Sequence, residues 1–332
     1  LIERHSGEKE FLQHIAVRVS FFKILFKYDR RMKPVALTIP ALLSVVSLLA
    51  QQVPDTLFSP TIIKPAYLSQ QGSSIFIDEA HNNFHTLSGG YRPFANVLKK
   101  DGYVLRPLTQ RFSEEALRPA NIVVVANALH SDNVRRWSLP TPSAFSEEEI
   151  SALNTWVKSG GSLFLIADHM PCSGAAEKLA ASFGIKFYNG FARKARNNGV
   201  DIFKTGSGLA ECALTNGRNT SELVTSVQTF TGQAFQIPED AVAVITLNQE
   251  YEILLPETAW EFTKLTPRLS ADGFVQGAYL RYGSGRLVVF GEAAMFTAQQ
   301  NGKNKFGMNS NTASQNMQFL LNTIHWLDGL IE

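Results

Sequence analysis

The chain has 332 residues, 45% of them hydrophobic and 18% charged, which supplies a substantial core and excludes a disordered or low-complexity protein. A balance of 31 Lys and Arg against 29 Asp and Glu leaves a net charge of +2, without the basic excess of a nucleic-acid binder. The two cysteines, Cys172 and Cys212, exclude a disulfide-rich scaffold and a four-cysteine zinc site, and their spacing leaves open whether they pair.

The small positive charge is local, because residues 1 to 34 hold eight Lys and Arg against four Asp and Glu. Arg30, Arg31 and Lys33 precede a 16-residue uncharged apolar run at 35 to 50, which ends in Ala50 before polar Gln51 and Gln52. The run is shorter than the ~20 residues that span a bilayer. A basic start, an apolar middle and a small residue at the end predict a signal peptide over 32 to 50, and hence a periplasmic or extracellular protein. Membrane contact is then expected only through that segment, were it to stay uncleaved. Met32 is the first methionine, so residues 1 to 31 read as an upstream extension and 51 to 72 as a leader.

From residue 73 the chain alternates between strand and helix. Ser74 to Asp78 is a short apolar run ending in an acid, and Tyr91 to Lys100 spaces Tyr91, Phe94, Ala95 and Leu98 as one helix face. A strand over Tyr103 to Leu108, a short helix over Ser113 to Leu117 and a strand over Asn121 to Ala126 follow. Ser146 and Glu149 form a capping box that opens a helix to Lys158, stopped by Gly160 and Gly161. Ser162 to Ala167 is the fourth strand and Gly174 to Phe183 its helix, with Ser173 as N-cap. Four such units predict an α/β fold with a doubly wound, mostly parallel sheet. Between about 187 and 255 the pattern loosens into short Thr-, Val- and Asn-rich strands, an inserted or edge β region. A hairpin of Gly277 to Tyr282 and Arg286 to Phe290, and a last helix over about 314 to 330 with Met317, Leu320, Leu321, Ile324 and Leu327 on one face, close a single domain over 73 to 332.

Ligands of open α/β sheets bind beyond the carboxyl ends of the strands. Three polar clusters stand at such ends: Asp78, Glu79, His81 and His85 after the first strand, Asp168 and His169 after the fourth, and Glu292 after the hairpin. Asp78, Glu79, His81, Asp168, His169 and Glu292 are the candidate catalytic set, as acids and bases. His81 and His85 are spaced i, i+4, so a helical turn would give them one face; with His169 they are the candidate ligands of a divalent metal such as zinc. Asn82 and Asn83 are poor helix formers and weaken that turn. The competing reading makes the two aspartates loop caps and the histidines partners of backbone carbonyls.

Nucleophile patterns fit poorly. Cys172 lies some five residues beyond its strand without flanking glycines, and no Gly-x-Ser-x-Gly elbow is present. Gly206-Ser207-Gly208 does not join a strand to a helix, so it is no phosphate loop. Asn219-Thr220-Ser221 is a glycosylation sequon, and the four tryptophans lie in separate segments.

The strings Asp78 to Thr86, Gly90-Tyr-Arg-Pro-Phe-Ala95, Asp101-Gly-Tyr103, Ala167-Asp-His-Met-Pro171 and Gly285 to Gln299 together resemble an uncharacterised bacterial domain family with the class I glutamine-amidotransferase-like fold. The likeness spans roughly 73 to 330. It implies a flavodoxin-like α/β sandwich related to trehalose-utilisation-type proteins and to an intraflagellar transport subunit, and it implies no particular reaction. The sequence departs from amidotransferases at the elbow, so glutamine hydrolysis is not expected. The expected function is an exported hydrolase or a binder of a small polar ligand such as a carbohydrate; the alternative is a non-catalytic binding or scaffold module.

Overall fold

The computed structural model describes residues 52 to 194 and 200 to 332. The signal segment expected at 32 to 50, and the extension before it, lie outside them. Among the described residues no helix is long and apolar enough to cross a membrane.

Five strands run parallel at the centre: β1 (Ser74–Asp78), β2 (Val104–Leu108), β3 (Ile122–Ala126), β4 (Ser162–Ile166) and, at the far end of the chain, the strand Gly285–Phe290. Why they are strands is visible in their packing. Ile75, Ile77, Ile122, Val124, Phe164 and Ile166 enter one core, while Phe76, Val123, Val125, Leu163 and Leu165 enter another on the opposite face. With both faces covered, a period of two needs no polar positions, and the strands read as unbroken apolar runs.

The parallel block has the order β2, β1, β3, β4, Gly285–Phe290. The chain winds outward from β1 in both directions, so the sheet is doubly wound as expected, with its switch point at β1. The last of these strands is reached through a hairpin. Naming the antiparallel strands in chain order gives β5 (Val242–Thr246) and β6 (Val275–Tyr282), so that Gly285–Phe290 is β7; β6 and β7 pair from Gly277 with Phe290 to Tyr282 with Gly285. Beyond β6 lie β5, Gly208–Leu209, Asp201–Thr205 and Ser226–Thr229, the inserted β region now seen as a wing of the same sheet. Gly206-Ser207-Gly208 is a turn within that wing, with Gly206 and Gly208 at φ of 78° and 83°.

Two small sheets flank this body. Phe191–Lys194, Tyr251–Leu254 and Arg268–Ser270 form one. Val53–Pro54 joins Ala298–Asn301 and Asn304–Gly307 in the other, so residues of the expected leader pair with the domain.

The helices of the described residues include α1 (Arg92–Lys100), α2 (Glu114–Leu117), α3 (Glu147–Lys158), α4 (Cys172–Ala181) and α5 (Asn316–Leu327), and a further single turn spans Ala213–Asn216. The capping box of α3 forms as expected. Helix α4 starts two residues earlier than expected: Pro171 precedes its first turn, and Ser173 is not the N-cap but lies buried within that turn, its hydroxyl donating to Asn189 Oδ1 at 3.3 Å. Helix α5 also departs from expectation. Rather than one apolar face it is buried nearly all round, polar Asn316, Asn322, Thr323 and His325 included.

Three of those buried polar side chains, Asn316, Asn322 and His325, have tertiary partners, as the loss of water demands, while Thr323 donates to the Phe319 carbonyl within the helix. Asn322 donates to the carbonyls of Leu214 and Glu222, and His325 Nε2 meets Asp101 Oδ2 at 2.6 Å with both side chains fully enclosed. Along the outer edge of the wing, Gln315 Oε1 accepts the N–H groups of Thr225 and Ser226, and the Asn316 amide accepts from Gln228 N–H while donating to its carbonyl.

The Asp101–His325 pair joins the end of α1 to α5 from positions 224 apart. Replacing His325 with Leu leaves the Asp101 carboxylate enclosed without its partner. The expected cost is about 3 kcal/mol in denaturant unfolding, and a loss below about 1 kcal/mol would show that the pair does not hold the helix.

Candidate functional site

Asp78 ends β1, and His81 turns back beneath it. Its Nδ1 lies 2.9 Å from both Asp78 oxygens and its Nε2 lies 2.9 Å from Glu149 Oε1. Phe112 and Phe145 enclose the ring, each with its centroid 4.6 Å away. Arg111 donates to Glu149 Oε2 at 3.2 Å, and the Ser146 N–H donates to the same oxygen at 2.9 Å. Burial opposes the imidazolium, but bonds and charge from Asp78 and Glu149 outweigh it and raise the His81 pKa. Burial likewise opposes charge on Glu149, yet the Ser146 N–H, His81 and Arg111 hold its carboxyl below the usual range. His81 is thus a charged clamp between β1 and the first turn of α3.

This corrects the reading of His81 and His85 as one metal-binding face. Asn82, at φ 48°, breaks the helical turn that the spacing requires. His85 goes elsewhere: it stacks on Tyr91 at 4.6 Å with an interplanar angle of 16°, and burial alone lowers its pKa to about 3, so it is neutral at pH 7. Among the described residues its buried Nδ1 has no hydrogen-bond partner. Glu79 accepts the Leu87 N–H at 2.8 Å and holds the loop between them. With both His81 nitrogens spent on carboxylates, the expected His81, His85 and His169 ligand set is not assembled. Among the described residues no group of three or more His, Cys, Asp and Glu side chains is placed to hold a metal ion.

Asp168 and Glu292 do come together. They follow β4 and β7, neighbouring parallel strands that pair Ile166 with Phe290. Glu292 is fully buried, its oxygens accepting N–H groups of Ala294 and Met295 at 2.8 Å each. Burial first, and the Asp168 charge second, push its pKa well up. Burial also raises Asp168, against the charge of His169 and N–H donors from His169, Ala293 and Asn127. Asp168 keeps 13% of its side chain exposed, so it is the member of the pair in touch with solvent.

His169 follows Asp168, with 11% of its side chain exposed. Its Nδ1 lies 2.7 Å from the Met170 carbonyl, which can only accept, so Nδ1 carries a proton, and Nε2 lies 4.0 Å from Asp168 Oδ1. The ring lies flat on Phe191 at 4.2 Å and meets the edge of Trp260 at 4.7 Å. Trp137 links this group to the first cluster, with its centroid 6.1 Å from His169 and 5.9 Å from Phe84, which in turn packs edge-on against His85. Two backbone bonds place the tryptophans: Leu139 N–H to the Glu257 carbonyl and Ala259 N–H to the Trp137 carbonyl, both 2.8 Å, zip the loop after β3 to the loop after Tyr251–Leu254. Trp260 is 52% exposed and held at φ 69°, a left-handed conformation that costs a bulky residue on the order of 1–2 kcal/mol.

Cys172 is 2% exposed, and burial together with the Asp168 charge pushes its thiol well up, the reverse of what a nucleophile needs. It and Cys212 are free thiols.

Trp137, Trp260, Phe191 and Asn127 stand outside the candidate set that the strand ends supply. Asn127 follows β3 directly, at φ 56°, and its Oδ1 accepts the Asp168 N–H at 2.8 Å. The strand-end rule that selected Asp78 and Asp168 applies equally to it. The rings carry no such signal, because their loops meet only in the fold.

No family model and no curated protein matches the chain. Solved structures do. The mmIFT52 N-terminal domain aligns over 76% of this chain and 97% of its own length, with a TM-score of 0.53 at 14% identity. A cytoplasmic protein from Salmonella typhimurium gives 77% and 98%, 0.46 and 12%, and a ThuA-like protein from Bacteroides uniformis gives 81% and 94%, 0.44 and 12%. At these identities the likeness concerns the fold alone. The chain has a mixed α/β fold similar to that of the mmIFT52 N-terminal domain.

The clamp has a pH signature. His81, with a raised pKa, contributes stability that is complete below its ordinary value of 6.5 and lost as pH rises through the folded value. Glu149, with a lowered pKa, contributes stability that is complete above 4.5 and lost as pH falls through its folded value. Denaturation of wild type and His81→Gln is therefore expected to differ most between these two pH values, by about 3 kcal/mol, with the difference shrinking at alkaline pH. A pH-independent difference would refute the charged clamp.

Proposed function

We propose that the cleft around His169 binds a carbohydrate or a similar polyhydroxylated small molecule, and that His169 serves as acid and base in hydrolysis at that site. The observation that carries the reading is Trp260, a half-exposed indole kept in a strained backbone conformation against His169. Strain of this kind persists where the surroundings impose it, and it gathers at ligand sites. Trp260, Trp137 and Phe84 offer apolar faces to the C–H surface of a sugar ring. In this reading His169 Nε2 and the Asp168 carboxylate are the polar partners of its hydroxyls.

The hydrolytic part rests on the same few atoms. In this reading His169 Nε2 takes a proton from water, and the buried Glu292 and Asp168 carboxyls, both raised by burial, back it at the carboxyl ends of β4 and β7. Of the expected catalytic set, Asp78 and His81 have no part in this reading, since each satisfies the other. In this reading the protein works outside the cytoplasm, which rests on the basic and then apolar run at 30 to 50.

A second reading, binding without turnover, is favoured by Cys172: the buried, neutral thiol supplies no nucleophile beside the carboxylates. The two readings separate by experiment. Titration with a panel of mono- and disaccharides, followed by calorimetry, is expected to give saturable binding that Trp260→Ala weakens about tenfold or more. Trp260→Gly removes ring and strain together, so its denaturation midpoint should hold while affinity falls. Hydrolysis of any bound glycoside or ester should drop about 10²- to 10⁴-fold in His169→Gln with affinity retained. Binding with no turnover in wild type selects the second reading, and no saturable binding by any sugar ends both.

A further inference from the structure

The amino ends of β3 and β4, opposite the end that carries His169, hold a recess of about 310 Å³ whose walls include Asn121, Trp156, Gly160, Ser162 and Asp328. Two helices finish there. Helix α3 ends at Lys158 with Ser159 as C-cap, and α5 ends at Leu327 with Asp328 as C-cap. Each brings the negative end of its dipole to the same hollow, and Asp328 adds a carboxylate.

Asp328 and two serines present acceptors around it, and Asn121, whose Oδ1 accepts from Ser74, adds one amide donor. Asp328 Oδ2 accepts from the hydroxyls of Tyr67 at 2.5 Å and Tyr103 at 3.2 Å, and among the described residues Oδ1 has no hydrogen-bond partner. The hydroxyls of Ser159 and Ser162 donate their protons to the carbonyls of Thr155 and Leu327 and so present lone pairs. The indole of Trp156 packs against Gly161, where a Cβ would fall 2.4 Å from the ring; any other residue there would displace it. The nearby cations are engaged or outside: Arg286 donates to the Trp326 and Ile331 carbonyls and lies 3.7 Å from Glu332, and Lys158 is exposed at the end of α3.

Acceptors, two dipole ends and an aromatic wall suit a donor-rich cation. We propose that this recess is a second ligand site, distinct from the His169 cleft, which takes a small organic cation, an alkylammonium or a guanidinium, between Asp328 and Trp156. It involves none of the residues assigned to the cleft, so the two assignments are independent.

Agmatine, which carries both kinds of head group, is the probe, and n-butanol its neutral control. In ¹⁵N-resolved spectra of the protein, agmatine should shift the Gly160 and Gly161 amide signals saturably, while butanol should not. Asp328→Asn keeps an acceptor for the two tyrosines and removes the charge; it should weaken agmatine about tenfold. Should that variant fail to fold, Ser159→Arg decides: at an exposed helix end it supplies a tethered guanidinium and should abolish the shift. Agmatine binding to Asp328→Asn or Ser159→Arg as it binds to wild type, an equal response to butanol, or no saturable shift in wild type would each overturn the proposal.

Discussion

The arrangement of the carboxyl end of the sheet depends on one buried cation. His81 stands between Asp78 and Glu149, with side-chain exposures of 1%, 0% and 5%, and so couples the last residue of β1 to the capping turn of α3. The loop between β1 and α1 leaves from this point, and with it Phe84 and His85. The Leu129 N–H donates to the His81 carbonyl at 2.9 Å and the Phe84 N–H to the Asn127 carbonyl at the same distance, so the loop after β3 is held to the same anchor. Removing one member of such a group leaves an uncompensated charge away from water, which is why the interaction governs so much around it.

The two ends of the sheet divide the chemistry. At the carboxyl end, strand adjacency draws Asp168 and Glu292 together, and two loops joined by backbone bonds surround His169 with rings. At the amino end, helices terminate and acceptors predominate. Parallel strands produce this asymmetry directly, because every strand contributes its following loop to one end and its preceding helix terminus to the other.

Much of the frame was legible in the sequence. The runs of β1, β3 and β4 are continuous because both faces are covered, and the capping box at Ser146 and Glu149 announced α3 within a residue. The start of α4 and the enclosure of α5 were less legible, since the first depends on Pro171 and the second on polar side chains whose partners lie about 90 to 220 residues away. The site was legible in half. Asp168, His169 and Glu292 followed from strand ends alone, while His81 misled because Glu149, its second partner, already had a local role in the capping box. Trp137 and Trp260 share a wall only through a bridge between loops, which no spacing encodes.

The polar residues at the start of α5 have a last implication. Gln315 and Asn316 occupy the backbone groups along Ser226–Thr229 that an incoming strand would otherwise seek. The start of the helix therefore guards that edge against self-templated growth of the sheet, in which copies of the chain would add to it strand by strand.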